Sequence, residues 1–367
     1  MQSVFRVLPL LVRATSVLLC GFSVFQDDRD TDPTRLPGNA EAFYRLAQFE
    51  AAEKDLRAQL AKEPGDALRT GLMQVLLRAR KYDEALKEAA AAGIAAKDDA
   101  MRAFAISVEV ECKWRLGDRV AAKRHAEAAL KLADAKGASA YPAVRRSIAV
   151  TLGFLEWSRT PGKHVAVWRA PGASDGATLA ARFDAAFEAM AAELVASVPD
   201  RIDVFVFADQ RQADAILATA LNFAAPRDRA VYVLETASTG HELARVVLFF
   251  AASSKGKARP ACALLVEGAS VAFAHDELWT KRLVDVPARL AQKGTLKRAT
   301  ELAKATAGDS EFVSCAGSFV RMLYDRYGKE KWLKLWTEFN DGTDPWSAVY
   351  GKPLEELDAE WRAHVSR

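Results

Sequence analysis

The sequence lacks most of the features that would assign it to a protein class at once. Its four cysteines form no CxxC pair, so neither a disulfide scaffold nor a metal knuckle is predicted. Its 51 Lys and Arg nearly balance its 48 Asp and Glu, which argues against general nucleic-acid binding. No Gly-x-Ser-x-Gly elbow surrounds Ser238, Ser270 or Ser318, so these serines do not indicate a serine hydrolase, and no Gly-x-x-x-x-Gly-Lys loop is present to bind phosphate.

The composition is that of an ordinary folded protein. Half of the 367 residues are hydrophobic and 27% are charged, which excludes a wholly disordered chain, a collagen-like fibre and a multi-pass membrane protein. A chain of this length usually divides into two or three domains, each with its own core.

The first 26 residues have the pattern of a secretory signal peptide. A basic start with Arg6 and Arg13 is followed by a 12-residue apolar run, 14–25, and then by an acidic segment. The run is shorter than the roughly 20 residues that span a bilayer, and a buried first helix is the structural alternative. We therefore predict export to the periplasm or cell envelope, with membrane contact only through the signal or through lipidation of Cys20.

A linker is predicted over residues 27–39, and helical repeats are predicted over residues 40–160. Three stretches of this region align, at steps of 33 and 37 residues, and they start at Gln48, Lys81 and Asp118. The same position of each stretch holds a small residue: Ala52, Ala85 and Ala122. This pattern resembles tetratricopeptide repeats, which implies paired helices that bind a protein or peptide partner.

The pattern changes at residue 160, and a second domain is predicted over residues 164–367. Strand-like segments near residues 164–170, 202–208 and 229–236 precede a chain that is mostly helical to its end. The predicted fold class is therefore a helical repeat followed by an α+β domain, in which a small sheet precedes the helices.

The second domain carries four sequence motifs in a fixed order. His241-Glu242-x-x-Arg245 and Glu267-Gly268 each lie in an apolar segment. Two further segments, GSFVRMLYDRYG at 317–328 and GKPLEELDAEWR at 351–362, follow them. Together they resemble the gluzincin metallopeptidases, specifically the bacterial proteins called peptidase-MA-like. The resemblance implies that His241 takes the first zinc-ligand position, Glu242 the general base and Glu267 the third ligand.

Arg245 stands where that resemblance implies the second histidine ligand. A guanidinium has no lone pair and stays protonated, so Arg245 cannot bind zinc, and only two of three protein ligands remain. We therefore expect no cofactor and a catalytically degenerate domain, in which Arg245 pairs with Glu242 and Glu267. Glu242 would be catalytic, and His241 and Glu267 would bind metal, only if the domain were active.

Two alternative functions and one alternative role for Glu242 remain open. The chain could be a zinc-dependent metallopeptidase with an atypical site, or a repeat scaffold that the second domain merely caps. His275 would lie about 12 Å from Glu267 on one helix, too far to replace the missing ligand. A capping box formed by Thr239 and Glu242 would explain the acid without any metal ancestry. Cys262 and Cys315 could pair in an oxidising compartment.

Overall fold

The computed structural model describes residues 36–96, 99–135, 142–217, 222–235, 240–305, 309–341 and 344–366. The predicted signal peptide, Cys20, Thr239 and most of the predicted linker lie outside these residues. Within them the chain is mostly helical, with 17 α-helices and a mixed five-stranded sheet that follows the first seven helices.

The N-terminal helices pack as successive neighbours around their own apolar cores. The alanines that mark the sequence repeat lie in α2, α4 and α6, and each has no exposed surface, because small residues allow paired helices to approach closely. Leu36 is buried against the first helices, so the segment predicted as a linker includes at least one residue of the folded core. The helices are α1 (Ala40–Arg45), α2 (Phe49–Lys62), α3 (Asp66–Arg78), α4 (Tyr82–Ala95), α5 (Asp99–Arg115), α6 (Arg119–Ala135) and α7 (Pro142–Phe154).

The sheet has the strand order β1-β2-β3-β5-β4, with a parallel centre and antiparallel edges. Its strands are β1 (Ser158–Pro161), β2 (Val165–Arg169), β3 (Ile202–Phe207), β4 (Phe223–Ala225) and β5 (Ala230–Leu234). The three central strands match the sequence prediction. The two edges were not predicted, and β1 begins inside the range assigned to helical repeats. Both edges are short, and β1 is largely exposed, so neither carries the apolar alternation that identifies a strand.

Both faces of the sheet are covered by helices. One set of alternate residues, including Val204 and Val233, joins the core formed with the C-terminal helices. The opposite set, including Phe205 and Tyr232, joins an aromatic cluster with Trp114 of α5 and Phe154 of α7. The N-terminal helices therefore pack directly on the sheet.

The remaining helices form the largest core of the protein. They are α8 (Gly176–Leu194), α9 (Gln210–Leu217), α10 (Gly240–Ser253), α11 (Ala263–Ala272), α12 (Glu277–Gln292), α13 (Ala299–Lys304), α14 (Ser310–Tyr327), α15 (Lys329–Glu338), α16 (Pro345–Tyr350) and α17 (Leu354–Val365). Every residue of α11 is buried, as are nearly all of those in α10. This is the expected environment of a helix that is apolar on all sides.

Helix α11 contacts α14 at very short range. A β-carbon at Gly268 would lie 2.6 Å from the carbonyl oxygen of Ala316 on α14, so only glycine fits there without displacing backbone. Trp332 and Trp361 are fully buried in the same core, as expected for structural tryptophans. Among the described helices, none combines the length and the apolar character needed to cross a membrane.

Candidate functional site

The first turn of α10 and the middle of α11 bring the predicted site residues together. A β-carbon at Gly240 would lie 1.9 Å from the carbonyl oxygen of Ala274, so the start of α10 touches the backbone that follows α11. This contact places His241 and Glu242 beside Glu267. Arg245 follows one turn later on α10, on the same side as His241.

The four side chains form one network of opposite charges. Arg245 donates from Nη2 to Oε2 of Glu267 at 2.5 Å, and its Nε lies 3.7 Å from Oε2 of Glu242. His241 lies 3.2 Å from Glu242, measured from Nδ1 to Oε1, and 3.7 Å from Glu267, measured from Nε2 to Oε2. The two carboxylates are only 2–3% exposed, whereas the His241 and Arg245 side chains are 14% and 17% exposed.

Mutual attraction outweighs burial in setting the pKa values of this network. Burial raises the pKa of Glu267, but His241 and the Arg245 charge overcome it, so this pKa is lowered overall. Burial lowers the pKa of His241, but the two carboxylates overcome it, so this pKa is raised above its ordinary value. The site therefore favours an ionised Glu267 and a cationic His241.

Each of the four residues also has one buried polar atom without a hydrogen-bond partner. Buried polar groups normally find partners, so four unsatisfied atoms in one network are unusual. Two of these atoms, Nε of Arg245 and Oε2 of Glu242, face each other at 3.7 Å, which is too long for a hydrogen bond. The atoms are Nε2 of His241, Oε2 of Glu242, Nε of Arg245 and Oε1 of Glu267.

These residues do not fit a catalytic zinc ion. Such an ion takes three protein donors and keeps one position open, whereas Arg245 brings a positive charge and no lone pair. Its guanidinium is also hydrogen-bonded to Glu267, the residue predicted as the third ligand. Throughout the described residues, no group of three or more His, Cys, Asp and Glu is arranged to hold a metal ion.

Trp279 of α12 forms a wall of the site that the sequence did not predict. Its ring centroid lies 5.5 Å from that of His241, and its Nε1 is buried without a hydrogen-bond partner. The guanidinium of Arg282 lies 5.3 Å from the same Trp279 ring centroid. The available sequence signal was Asp276, which caps α12 by accepting from the backbone N–H of Trp279 and so fixes the first turn of that helix.

The remaining histidines of the second domain lie apart from this network. Helix α11 ends at Ala272, so the prediction that His275 continues the Glu267 helix is wrong; His275 adopts a positive φ and faces Glu193. His164 stacks on Phe187, with 4.6 Å between ring centroids, and His364 is exposed. None of them supplies the missing ligand.

Cys262 and Cys315 are separate, buried thiols and not a disulfide. Burial raises the pKa of both, that of Cys315 to about 12, so neither behaves as a reactive thiolate at neutral pH.

The network thus combines two buried carboxylates, one guanidinium and one imidazole around unsatisfied polar atoms. It contains no hydroxyl or thiol nucleophile among its four members. No protein-family model and no curated protein matches this chain.

Proposed function

We propose that this chain is an exported binding protein in which tetratricopeptide-like repeats contact a protein or peptide partner and a gluzincin-like domain is catalytically degenerate. The observation that carries the proposal is the position of Arg245. Its guanidinium lies against Glu267 and near Glu242, where the resemblance implies a metal ion. A fixed cation in that position neutralises buried acids without any metal.

A zinc-binding measurement on Arg245→His tests the proposal directly. The substitution supplies the imidazole that the HExxH pattern requires, one turn after His241. We expect the wild-type protein to retain no stoichiometric zinc after dialysis against a mild chelator. The variant should bind about one zinc ion per chain and unfold at a higher temperature when zinc is added.

The matched control adds His241→Ala to Arg245→His, which removes one of the two imidazoles and should abolish the gained zinc binding. Stoichiometric zinc in the wild-type protein would overturn the proposal and favour the alternative, a zinc-dependent metallopeptidase. The same result would follow from wild-type stability that falls when zinc is stripped.

Hydrogen exchange on the full chain tests the binding role. With a captured partner, we expect protection to concentrate in α2–α7, because paired helices of this kind present an extended surface. Protection confined to residues 240–305 would contradict binding through the repeats. Arg245→His should leave partner affinity unchanged, because the site is not part of the repeat surface.

The proposed export has its own readout. The signal-like segment predicts that the mature protein recovered from the periplasm or cell envelope begins near residue 27. Lipidation of Cys20 would instead give a mature chain that starts at this cysteine and partitions into detergent. Recovery of the uncleaved chain only from the cytoplasmic fraction would contradict export.

A scaffold function is the second candidate, and the aromatic cluster between α5, α7 and the sheet favours it. There the second domain covers an apolar surface of the repeats, as a cap would. Under this function, mutations of the four site residues would change stability alone. Loss of partner binding by such a mutation, with the fold intact, would argue against both functions.

A further inference from the structure

A polar cavity lies between the N-terminal helices and the sheet. It has a volume of about 490 Å³ and is lined by α3, α5, α7, the 3-10 turn Pro226–Asp228 and the face of the sheet that carries Phe205 and Tyr232. None of the four residues of the candidate site lines it. Sites for small organic molecules typically enclose about 300–1,000 Å³, so the volume of this cleft suits such a ligand.

The lining of the cleft has an excess of positive charge. Five arginines and three acids line the cleft, a formal excess of two positive charges. All three acids are already paired within the protein, and Arg80 is also paired with Asp200, which lies outside the lining. The arginines are Arg78, Arg80, Arg115, Arg146 and Arg227, and the acids are Glu111, Asp203 and Asp228.

Asp203 is shared between two of these arginines. It is a buried residue of β3, and its Oδ2 accepts from both Arg80 and Arg115, at 2.9 Å each. Its Oδ1 accepts from Nε1 of Trp168 at 2.8 Å, so the carboxylate is fully used. One carboxylate therefore lies between two guanidiniums, each of which has a second acid nearby: Asp200 lies 3.2 Å from Arg80, and Glu111 lies 3.7 Å from Arg115.

Arg146 has no carboxylate partner among the described residues. Its Nη2 donates one long hydrogen bond, 3.5 Å, to the carbonyl oxygen of Leu217. It is exposed on α7 and lines the cleft. Its charge is therefore not needed to balance the fold.

The floor of the cleft contains two buried donors without partners. Trp114 is 4% exposed and its Nε1 has no hydrogen-bond partner, and the same is true of Nε of Arg115. The Arg115 guanidinium lies 4.4 Å from the Trp114 ring centroid. Burial lowers the pKa of Arg115, but Asp203 outweighs it and raises this pKa, so the charge is permanent. An acceptor that entered the cleft would satisfy donors that are otherwise left unpaired.

We propose that this cleft binds a small organic anion, a carboxylate or phosphate monoester attached to an aromatic or apolar group. The acidic group is recognised by Arg146, whose guanidinium can donate two hydrogen bonds to such an oxyanion, and by the unpartnered N–H groups of Arg115 and Trp114. The apolar part packs against side chains that also line the cleft, among them Phe104, Val108 and Phe154. The site is independent of Arg245, so it stands whether or not the zinc experiment supports the proposed function.

Titration calorimetry on the full chain tests the site with simple probes. Phenyl phosphate and phenylacetate carry both parts of the proposed ligand and differ in the acid. Inorganic phosphate, acetate and benzyl alcohol each carry one part. We expect at least one phenyl anion to bind with a Kd of about 1 mM or lower, and each half-probe to bind about tenfold more weakly. Absence of binding by both phenyl anions up to about 10 mM overturns the proposal.

Two substitutions with matched controls locate the binding. Arg146→Gln should weaken the phenyl anion about tenfold, whereas Arg145→Gln removes the same charge from the neighbouring residue, outside the cleft, and should not. Trp114→Phe removes an unpartnered N–H and should also weaken binding. Its control, Trp332→Phe, removes an equally unpartnered N–H in the other core. Equal affinities for Arg146→Gln and wild type overturn the proposal, and this variant keeps the test valid if Trp114→Phe fails to fold.

Discussion

Glu267 is a buried carboxylate whose closest cation is the guanidinium of Arg245, 2.5 Å away. A buried ion pair adds little net stability, because desolvation of both charges offsets their attraction. Removal of only one member of such a pair is costly, however, because the remaining charge stays buried without that partner. The stability of the site therefore depends on both members of the pair being present or both being absent.

Arg245→Met should lower the free energy of unfolding by about 3–5 kcal/mol, because it removes the closest cation from the buried carboxylate of Glu267. The double variant with Glu267→Gln should recover most of that loss. Denaturant unfolding measures both effects. Arg289→Met is the control: Arg289 pairs with Glu311 at 2.9 Å, but both side chains are about half exposed, so the cost should stay below about 1 kcal/mol. Equal costs for the two single substitutions would contradict a buried role for Arg245.

The sequence predicted that these four residues lie close together, but not which side chains surround them. The spacing of His241, Glu242 and Arg245 places them on adjacent turns of any helix, and the apolar surroundings of Glu267 required a partner for this acid. Trp279 was missed because its contact with His241 depends on how α12 folds back after α11. No local pattern specifies that direction.

At the scale of helices, Glu53 connects α2 to α4. Its carboxylate accepts from Arg57 on its own helix and from Lys81 at the start of α4, both at 2.8 Å. Burial raises the pKa of Glu53, but these two cations outweigh it and lower this pKa overall. The ionised form is therefore favoured in the folded state.

Glu53→Gln should make the protein less stable at neutral pH, by about 1–2 kcal/mol. Because the folded pKa is lowered, the ionic contribution of Glu53 is fully present above about pH 4.5 and is lost as the pH falls through the folded pKa. The difference from wild type should therefore shrink on acidification, which unfolding curves from pH 7 to pH 3 would measure. Glu50→Gln, at an exposed position of the same helix, is the control for removing a charge from α2. A difference that grew toward low pH would contradict the assignment.

The contact of α11 with α14 gives a second prediction at this scale. Gly268→Ala should lower the free energy of unfolding by about 1–3 kcal/mol, because the new β-carbon meets the backbone of Ala316. Gly93→Ala, in α4, is the control: its nearest neighbour would lie at 3.7 Å, so the substitution should be neutral or stabilising by up to about 1 kcal/mol. Thermal and urea unfolding would report both. A stabilising Gly268→Ala would mean that the two helices are not in close contact.

Helices and central strands were easier to predict than edges. The apolar runs of α10 and α11 and the alternation of β3 follow directly from burial. The strand β1 has no such pattern, since an exposed edge imposes none on its side chains. Only its pairing with β2 defines it as a strand.

For the whole molecule, the main consequence is that the helical half and the sheet share an aromatic core. Trp114 and Phe154 from the helices contact Phe205 of the sheet, with ring centroids 4.8–6.4 Å apart. The sequence could not show this packing. The segment 202–207 is buried on both faces, but its pattern does not say which part of the chain covers each face.

A fragment of residues 36–157 should therefore be unstable by itself, because it exposes the aromatic surface that the sheet covers. We expect strong binding of a hydrophobic dye and a broadened thermal transition, compared with the full chain. In the full chain, near-ultraviolet and far-ultraviolet circular dichroism should report one coincident transition. A fragment with the melting temperature of the intact protein would show that the helical half folds independently.

Gly240 and Gly268 also bear on descent. At each position a methyl group would clash with a backbone oxygen. Substitution of either glycine by any other residue would therefore be selected against as long as the fold is retained. Position 245 has no such steric constraint, because the ion-pair partners of Arg245 are the side chains of Glu242 and Glu267. Distant relatives of this chain should therefore retain both glycines even where residue 245 is histidine. Such a comparison would show whether Arg245 arose before or after the fold. An ancestral histidine would mean that this lineage lost a metal, and an ancestral arginine would mean that it never had one.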